Sequence, residues 1–142
     1  MTYTKRHISW EDAAALADAL AAQLAPRRDE FRTIIAITRG GMVPAAIVAR
    51  RLDITYVDTI GISSYEDQTQ GEVRVIKTVP GNGEGCLVID DLVDRGTTAQ
   101  MVRQMLPKSF IAVLYAKPSG KPFADLAMED VPQDVWIEFP WE

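Results

Sequence analysis

The stretch CLVIDDLVDRGTTAQMVRQML, residues 86–106, contains the pattern that decides the fold class. A short apolar run leads directly into acidic residues, then into Arg-Gly-Thr-Thr, and then into helix-forming residues. Such a run predicts a buried β-strand, and the residues from about 97 to 106 predict the helix that follows it. Two adjacent carboxylates at the end of a strand repel each other, so the fold has to supply a group that neutralises them.

The rest of the chain repeats this alternation of strands and helices. Ser9, with Asp12 three residues later, resembles a capping box and predicts a first helix that Pro26 ends. The strands are apolar throughout, which predicts an α/β doubly wound fold with a mostly parallel sheet covered on both faces. The remaining predicted elements are strands at 33–38, 53–62 and 109–116, a helix at 43–52, a long polar loop or mobile hairpin at 63–78, and an irregular aromatic segment at 133–142.

The composition limits the class of protein. A chain of 142 residues with 47% hydrophobic and 25% charged residues predicts one globular domain spanning 1–142. The net charge of −5 argues against nucleic-acid binding driven by overall charge, but it allows a local basic site for a small anion. Cys86 is the only cysteine, which predicts a reducing compartment. No apolar run approaches the roughly 18 residues of a membrane span, and the N-terminus lacks a signal-peptide core. We therefore expect a cytoplasmic protein.

Basic residues and glycines follow the predicted strands, at the end where parallel sheets bind their ligands. Arg39, Gly40 and Gly41 follow the strand at 33–38, and Lys117 follows the strand at 109–116. An acidic protein with cations and glycines at these ends is suited to an anionic ligand. The strand that begins at residue 86 is followed by Asp90, Asp91, Asp94, Arg95, Gly96, Thr97 and Thr98, and the polar segment adds Arg74 and Lys77.

Residues 94–98 form a short loop that leads into a helix. Backbone N–H groups and the helix dipole converge there, which favours binding of a phosphate. Thr97 and Thr98 add hydroxyl donors, and Arg95 adds charge. The alternative is a plain N-cap, in which Asp94 or Thr97 satisfies the unpaired amides.

Asp90 and Asp91 favour a sugar phosphate as the ligand. Ionised carboxylates only accept hydrogen bonds, so they suit ribose hydroxyls, directly or through a divalent metal. The alternative is a solvated acidic turn. A phosphate-binding loop just beyond such a pair describes a ribose 5-phosphate, and the Arg-Gly-Gly at 39–41 lets backbone amides approach a second phosphate group.

These residues resemble a known family. VIDDLVDRGTTA resembles the phosphoribosyl-pyrophosphate signature of type I phosphoribosyltransferases, in which a strand and Asp-Asp precede a Thr-Gly-Gly-Thr-like loop. The resemblance implies a mostly parallel twisted sheet flanked by helices, with a small C-terminal hood, about 117–142, over the base pocket. Five blocks resemble the bacterial xanthine-guanine members of the family in the same order: ITRGGMVPAAIVAR, TIGISSYEDQTQGE, VIDDLVDRGTTA, YAKPSGKP and VPQDVWIEFPW.

The resemblance implies how phosphoribosyl pyrophosphate is held. The loop 39–41 would contact pyrophosphate, and in this family it often contains a non-proline cis peptide. Asp90 and Asp91 would hold the ribose hydroxyls and Mg²⁺, with Asp91 as the metal ligand. The segment 94–98, which includes Gly96, would hold the 5-phosphate.

The resemblance also implies a pocket for the base. Asp94 would face N7 of the purine as proton acceptor or donor, and Lys117 would donate to the purine O6, which selects 6-oxopurines over adenine. Trp136 would stack on the base, and the backbone of Ile137 would meet the substituent at the 2-position. Apart from the family, Trp136 reads as a packed C-terminal aromatic and Lys117 as a solvated loop lysine.

The implied reaction is displacement of pyrophosphate from C1 of the ribose by N9 of xanthine, guanine or hypoxanthine. Ser63, Ser64 and Tyr65, within the segment 63–78, resemble the start of the family's mobile loop, which closes over the site and excludes water. The family uses Mg²⁺ and is usually dimeric or tetrameric, so we expect a homo-oligomer.

Three features depart from the family pattern. Arg95 stands where the phosphate loop usually has a hydroxyl residue, and it either grips the phosphate or points to solvent. Gly71 stands where relatives have an Arg that contacts pyrophosphate, which leaves Arg74 as the candidate for that role. Relatives usually continue past the position of Glu142, so we expect an incomplete closing edge of the purine pocket.

Two other classes of protein fit parts of the sequence. A binding module of the same fold would sense phosphoribosyl pyrophosphate or nucleotides without turnover. Gly71 and Arg95 favour this module, whereas Asp94, Lys117 and Trp136 argue against it. A magnesium phosphotransfer domain of the receiver or haloacid type needs D-x-D-x-T or acids in separate loops, and here the acids share one loop.

Overall fold

The computed structural model describes residues 3–65 and 72–142, in which strands alternate with helices. Short 3-10 turns cover Ala25–Glu30 and Lys121–Phe123. The helices are α1 (Trp10–Leu24), α2 (Met42–Leu52) and α3 (Thr97–Met105). The strands are β1 (Thr4–His7), β2 (Thr33–Thr38), β3 (Tyr56–Tyr65), β4 (Glu72–Lys77), β5 (Cys86–Val93), β6 (Phe110–Ala116), β7 (Leu126–Asp130) and β8 (Val135–Glu138).

A six-stranded sheet forms the centre of the described part. Its strand order is β4-β3-β2-β5-β6-β7, and its neighbouring strands are parallel except for the antiparallel pair β3 and β4. The strands β1 and β8 pair in parallel as a separate small sheet. The predicted α/β fold with a mostly parallel sheet is therefore confirmed.

The local sequence explains where the helices begin and end. Ser9 is the N-cap of α1, and its Oγ accepts a hydrogen bond from the backbone N–H of Asp12 over 3.0 Å, as predicted. This helix ends before Pro26, which lies in the turn Ala25–Glu30. After α2, Asp53 adopts the left-handed conformation with φ of 54°, which stops the helix. None of the helices in the described ranges has both the length and the apolar character needed to cross a membrane.

Apolar side chains cover both faces of the central sheet. Ile34 and Leu87 pack with residues of α1 and α2 on one face, whereas Ile35 and Val88 pack with residues of α3 on the other. Successive residues of a strand point to opposite faces, so both sets must be apolar for both faces to be covered. Packing of these two layers holds the strands in position. The candidate site lies at the carboxyl ends of these strands.

The structure corrects the predicted end of the strand that carries the acidic pair. The sequence pattern places Asp90 and Asp91 after the strand, but β5 continues to Val93, because Val93 still pairs with Ala116 of β6. The two aspartates therefore lie within β5, near its end, where pairing with β6 holds the backbone of the strand.

Other differences concern short or polar elements. The strand predicted at 53–62 runs from residue 56 to 65, the segment predicted as irregular contains β8, and the sequence did not predict β1 or β7. All four residues of β1 are exposed, so its pairing with β8 leaves no apolar signal in the sequence. In the polar segment 63–78, the described residues form part of the β3–β4 hairpin, which confirms the hairpin alternative there.

Candidate active site

The loop 39–41 connects β2 to α2 at the carboxyl edge of the sheet. The Thr38–Arg39 peptide bond that opens it is cis, as the family resemblance implies. The amide of Gly41 donates to the carbonyl of Ile37 over 2.8 Å, so the chain turns at once into α2. The Arg39 side chain is exposed at this edge.

The two glycines of this loop allow it to lie against β5. A side chain at Gly40 would overlap the carboxylate of Asp91, and a side chain at Gly41 would overlap the carbonyl of Ile89. Because β2 and β5 are neighbouring parallel strands, the loop and the acidic pair meet at one edge. The predicted proximity of the Arg-Gly-Gly loop to the two aspartates is therefore present in the fold.

Asp90 and Asp91 form a half-buried pair of adjacent carboxyl groups. Burial raises the pKa of Asp90 well above its ordinary value, and the charge of Asp91 raises it further. Burial also raises the pKa of Asp91, although hydrogen bonds from Asp90 and from the Trp141 indole oppose that rise. Among the described residues, none of the ion pairs involves either carboxylate. The solvated acidic turn is wrong as a description of this pair, because both residues lie within a strand that ends at Val93 and are half-buried.

A divalent cation fits the chemistry of this pair. Mg²⁺ is usually bound by one or two carboxylates together with phosphates of a substrate. In the ranges 3–65 and 72–142, no group of three or more His, Cys, Asp and Glu side chains forms a metal site by itself. Asp90 and Asp91 would hold such a cation together with phosphate oxygens of a ligand.

Trp141 is a contact of the acidic pair that sequence reasoning missed. Its Nε1 lies 3.4 Å from Oδ2 of Asp91, and its ring stacks on Phe139 with centroids 5.0 Å apart. The aromatic character of the last residues is visible in the sequence. Their distance along the chain from Asp91 hides the contact, which only the tertiary fold creates.

The loop 94–98 gives α3 an open N-terminus. The N-cap is Gly96, with φ of 91°, and no side chain in the described part of the chain caps the helix. The plain N-cap alternative is therefore wrong, and the first amides of α3 have no side-chain acceptor in the described part of the chain, which favours an anion there. Thr97 and Thr98 are half-buried beside these amides, whereas Arg95 is exposed.

Asp94 lies in a hydrogen-bonded cluster with Lys117 and Gln133. Lys117 Nζ lies 3.2 Å from Oδ2 of Asp94, and Gln133 Nε2 donates to Oδ1 over 2.7 Å. The Lys117 side chain is 2% exposed, whereas that of Asp94 is 45% exposed. Lys117 is therefore not a solvated loop lysine. The sequence alone does not indicate Gln133, because this residue lies in the turn after β7 and reaches Asp94 only in the folded chain.

Trp136 and Ile137 lie on β8, beside this cluster. Trp136 is 38% exposed, so it is not a packed core aromatic, whereas Ile137 is buried and pairs with Arg6 of β1. The ring of Tyr3 meets Trp136 edge to face, with centroids 5.7 Å apart, and Lys117 Nζ lies 5.5 Å from the Tyr3 ring centroid. Tyr3 thus touches two residues of the predicted base pocket, and the sequence did not predict it.

The hairpin carries the residues predicted to cover the site. Ser63, Ser64 and Tyr65 form the end of β3, and Arg74, which is exposed, pairs with Ser63 across the β3–β4 ladder. The tip of the predicted mobile loop, residues 66–71, includes the position at which the family has an Arg. This tip lies outside the described residues.

Comparison with known proteins identifies the class to which this fold and site belong. Residues 9–142 match the phosphoribosyl transferase domain model, so the chain belongs to that family and has its type I fold.

Individual relatives narrow the similarity. The xanthine-guanine phosphoribosyltransferase of Desulfotalea psychrophila is 53% identical over 136 residues, which cover 95% of this chain and 84% of the relative. The enzyme of the same name from Nitratidesulfovibrio vulgaris is 52% identical and covers 95% of this chain and 83% of its own. The crystal structure of a purine phosphoribosyltransferase from Pyrococcus horikoshii matches with a TM-score of 0.82 and 25% identity, covering 97% of this chain and 93% of that one.

Proposed function

We propose that this chain is a purine-salvage enzyme that transfers the 5-phosphoribosyl group from phosphoribosyl pyrophosphate to N9 of a 6-oxopurine. The base is xanthine, guanine or hypoxanthine, and the products are the nucleoside 5′-monophosphate and pyrophosphate. The observation that carries the proposal is the convergence of the acidic pair, the loop 39–41 and the open N-terminus of α3 at one edge of the sheet. The names of relatives that are 52% and 53% identical support it.

The sugar phosphate lies across β5 in this proposal. The amides of α3, with Thr97 and Thr98, bind the 5-phosphate, because a helix N-terminus favours an anion. Asp90 and Asp91 accept hydrogen bonds from the ribose hydroxyls. The pyrophosphate lies on the loop 39–41, where the glycines allow close approach and the Arg39 guanidinium balances charge that grows on the departing group.

Mg²⁺ is the proposed cofactor, with Asp91 as its protein ligand. When bound, it stabilises negative charge on the pyrophosphate. The support from this chain is that burial raises the pKa of both carboxyl groups, so that a nearby cation would favour their charged forms. The contact of Asp91 with the Trp141 indole orients its carboxylate toward the loop 39–41.

The base lies between Trp136 and the cluster around Asp94. The exposed ring of Trp136 offers a stacking surface. The ammonium of Lys117 donates to the purine O6, a position where adenine carries an amino group and would place donor against donor. The backbone near Ile137 reads the 2-position, and Asp94 faces N7.

The hairpin β3–β4 is the proposed cover of the site. Closure over the sugar would exclude water, which otherwise competes with the base for C1 of the ribose. Ser63 to Tyr65 provide one side of this cover, and Arg74 provides a cation on the other.

A test of the proposed function is pyrophosphate release by the purified protein with phosphoribosyl pyrophosphate and Mg²⁺. Xanthine, guanine, hypoxanthine and adenine are offered separately, and a reaction without base measures hydrolysis. We expect release with at least one 6-oxopurine and none above background with adenine. No release with any base, from protein whose circular dichroism shows it folded, would refute turnover and favour a sensor of the same fold. Release with adenine at a similar rate would refute the role of Lys117.

A homo-oligomer in the cytoplasm is the proposed form of the enzyme. A groove of about 480 Å³ lies between α2 and β3, and Met42 and Val57 line it. Tyr56 on β3 and Ile76 on β4 expose further apolar side chains at the same edge of the sheet. Such a patch is more typical of an interface than of a free surface. Light scattering of the wild-type protein should give a mass of at least two chains, and Val57→Asp should lower it.

A further inference from the structure

Gln133 lies in the turn between β7 and β8, where three segments of the candidate site meet. Its Oε1 accepts a hydrogen bond from the backbone N–H of Ser119 over 3.0 Å, and its Nε2 donates to Oδ1 of Asp94 over 2.7 Å. The side chain is half-buried. One amide group therefore ties the loop after β5 to the loop after β6 and to the strand that carries Trp136.

The contact with Ser119 determines which end of the amide faces Asp94. A backbone N–H can only donate, so the amide oxygen has to face it, and the NH₂ group then faces the carboxylate. On the other side, Lys117 Nζ lies 3.2 Å from Oδ2 of Asp94. Each carboxylate oxygen thus meets a group that donates and never accepts, which matches Asp94 as an acceptor.

We infer that Gln133 is a positioning residue that holds Asp94 as the proton acceptor of the purine pocket. The inference rests on the proposed function, in which Asp94 faces N7 of the base. As N9 forms its bond to C1 of the ribose and the bond from C1 to pyrophosphate breaks, the base loses one proton. Asp94, with a donor fixed on each oxygen, takes that proton. This assigns one of the two roles that the sequence leaves open for Asp94.

The exposed fractions show why a positioning residue is needed. Lys117 is buried and held by its surroundings, but nearly half of the Asp94 side chain is open to the pocket. A carboxylate held from one side can rotate about its last torsion, and a small misplacement of a reacting group is costly. Gln133 removes this freedom because its own amide is fixed by the backbone of Ser119.

Two substitutions separate the donor function of Gln133 from its bulk. Gln133→Leu keeps a similar volume and removes both hydrogen bonds. Gln133→Glu keeps an acceptor for the Ser119 amide but replaces the donor with a carboxylate that repels Asp94. Gln23→Glu, on the exposed face of α1, makes the same charge change far from the pocket and serves as the matched control.

The expected result is a defect confined to the base and dependent on pH. At pH near 8, both variants should lower kcat/KM for the 6-oxopurine about 10- to 100-fold, the range for outer-shell partners, with KM for phosphoribosyl pyrophosphate changed less than about twofold. Near pH 5.5 the carboxyl introduced by Gln133→Glu becomes protonated, because the charge of Asp94 raises its pKa, and its O–H donates again. The defect of Gln133→Glu should then shrink to about threefold, whereas that of Gln133→Leu should stay unchanged.

The outcomes distinguish this inference from the proposed function. A wild-type protein that releases no pyrophosphate overturns both. An active wild type, with both Gln133 variants within about twofold of Gln23→Glu at either pH, overturns the inference alone. If both variants have lower melting temperatures and their activity defects change equally between pH 8 and pH 5.5, Gln133 has a structural role. That result also overturns the inference. If Gln133→Leu fails to fold, the change in the activity defect of Gln133→Glu between pH 8 and pH 5.5 decides between a positioning and a structural role.

Discussion

The aspartates of β5 and of the loop that follows it have contrasting surroundings. Asp90 and Asp91 lie half-buried beside each other, their pKa values are raised, and none of the ion pairs in the described ranges involves them. Asp94, a few residues further along, receives hydrogen bonds from Lys117 and Gln133. We therefore propose that the chain itself completes the acidic site at Asp94, whereas a metal-bound sugar pyrophosphate completes the site formed by Asp90 and Asp91.

The largest expected effect on activity comes from removing the charge of Asp91, in the acidic pair that we propose a ligand completes. Asp91→Asn should lower kcat/KM by at least about 100-fold, because it removes the proposed ligand for the cation that stabilises the departing pyrophosphate. The measurement is pyrophosphate release at saturating base. Asp29→Asn, at a fully exposed side chain, is the control and should retain wild-type activity. Activity of Asp91→Asn within a few-fold of wild type would mean that the pair does not hold the cation.

Substitution of Asp94, which receives hydrogen bonds from within the chain, should slow the reaction of the base and leave the binding of phosphoribosyl pyrophosphate nearly unchanged. Asp94→Asn should lower kcat about 100-fold, the lower end of the rate enhancement that proton acceptance by a positioned group contributes. Its affinity for phosphoribosyl pyrophosphate, measured by calorimetry, should stay within about threefold of wild type. Loss of that affinity would place Asp94 with the acidic pair and remove the contrast between the two sites.

The sequence predicts site residues that follow the strands directly better than those that reach the site from distant parts of the chain. Adjacent aspartates after an apolar run, followed by Arg-Gly-Thr-Thr, are local features, so the parallel sheet and the residues from 90 to 98 were all predictable. Gln133, Trp141 and Tyr3 reach the site through turns and edge strands that carry no apolar periodicity. Their contacts arise only when β8 pairs with β1 and returns the C-terminal residues to the sheet edge.

The raised pKa of Asp90 predicts a dependence of stability on pH. A carboxyl whose pKa is higher in the folded state binds protons more tightly there, so the free energy of unfolding falls as pH rises from the ordinary Asp pKa through the raised value. Asp90→Asn removes this cost. In the presence of a chelator it should raise the melting temperature by about 3 °C at pH 7.5 and by less at pH 5. A lower melting temperature at pH 7.5 would show that the acidic pair is not destabilising.

Substitution of Asp58 should change the melting temperature less than substitution of Asp90, and in the opposite direction. The hydrogen bond from Lys77 over 2.9 Å, and one from the amide of Thr59, lower its pKa. Its contribution to stability is present above the ordinary Asp pKa and is lost as pH falls through the lowered value. Because the pair lies near the surface, Asp58→Asn should lower the melting temperature by only about 1–2 °C at pH 7.5. An increase at that pH would contradict the contrast between a paired and an unpaired carboxylate.

The most direct test of the central claim is a calorimetric titration of phosphoribosyl pyrophosphate into the wild-type protein, with Mg²⁺ and then with a chelator. If the acidic pair is completed by a cation that arrives with the ligand, binding should be readily measurable with Mg²⁺, at least about 10-fold weaker with the chelator, and similarly weak in Asp91→Asn under both conditions. Equal affinity of the wild-type protein in both solutions would contradict the claim, because the pair would then bind the sugar without an external charge.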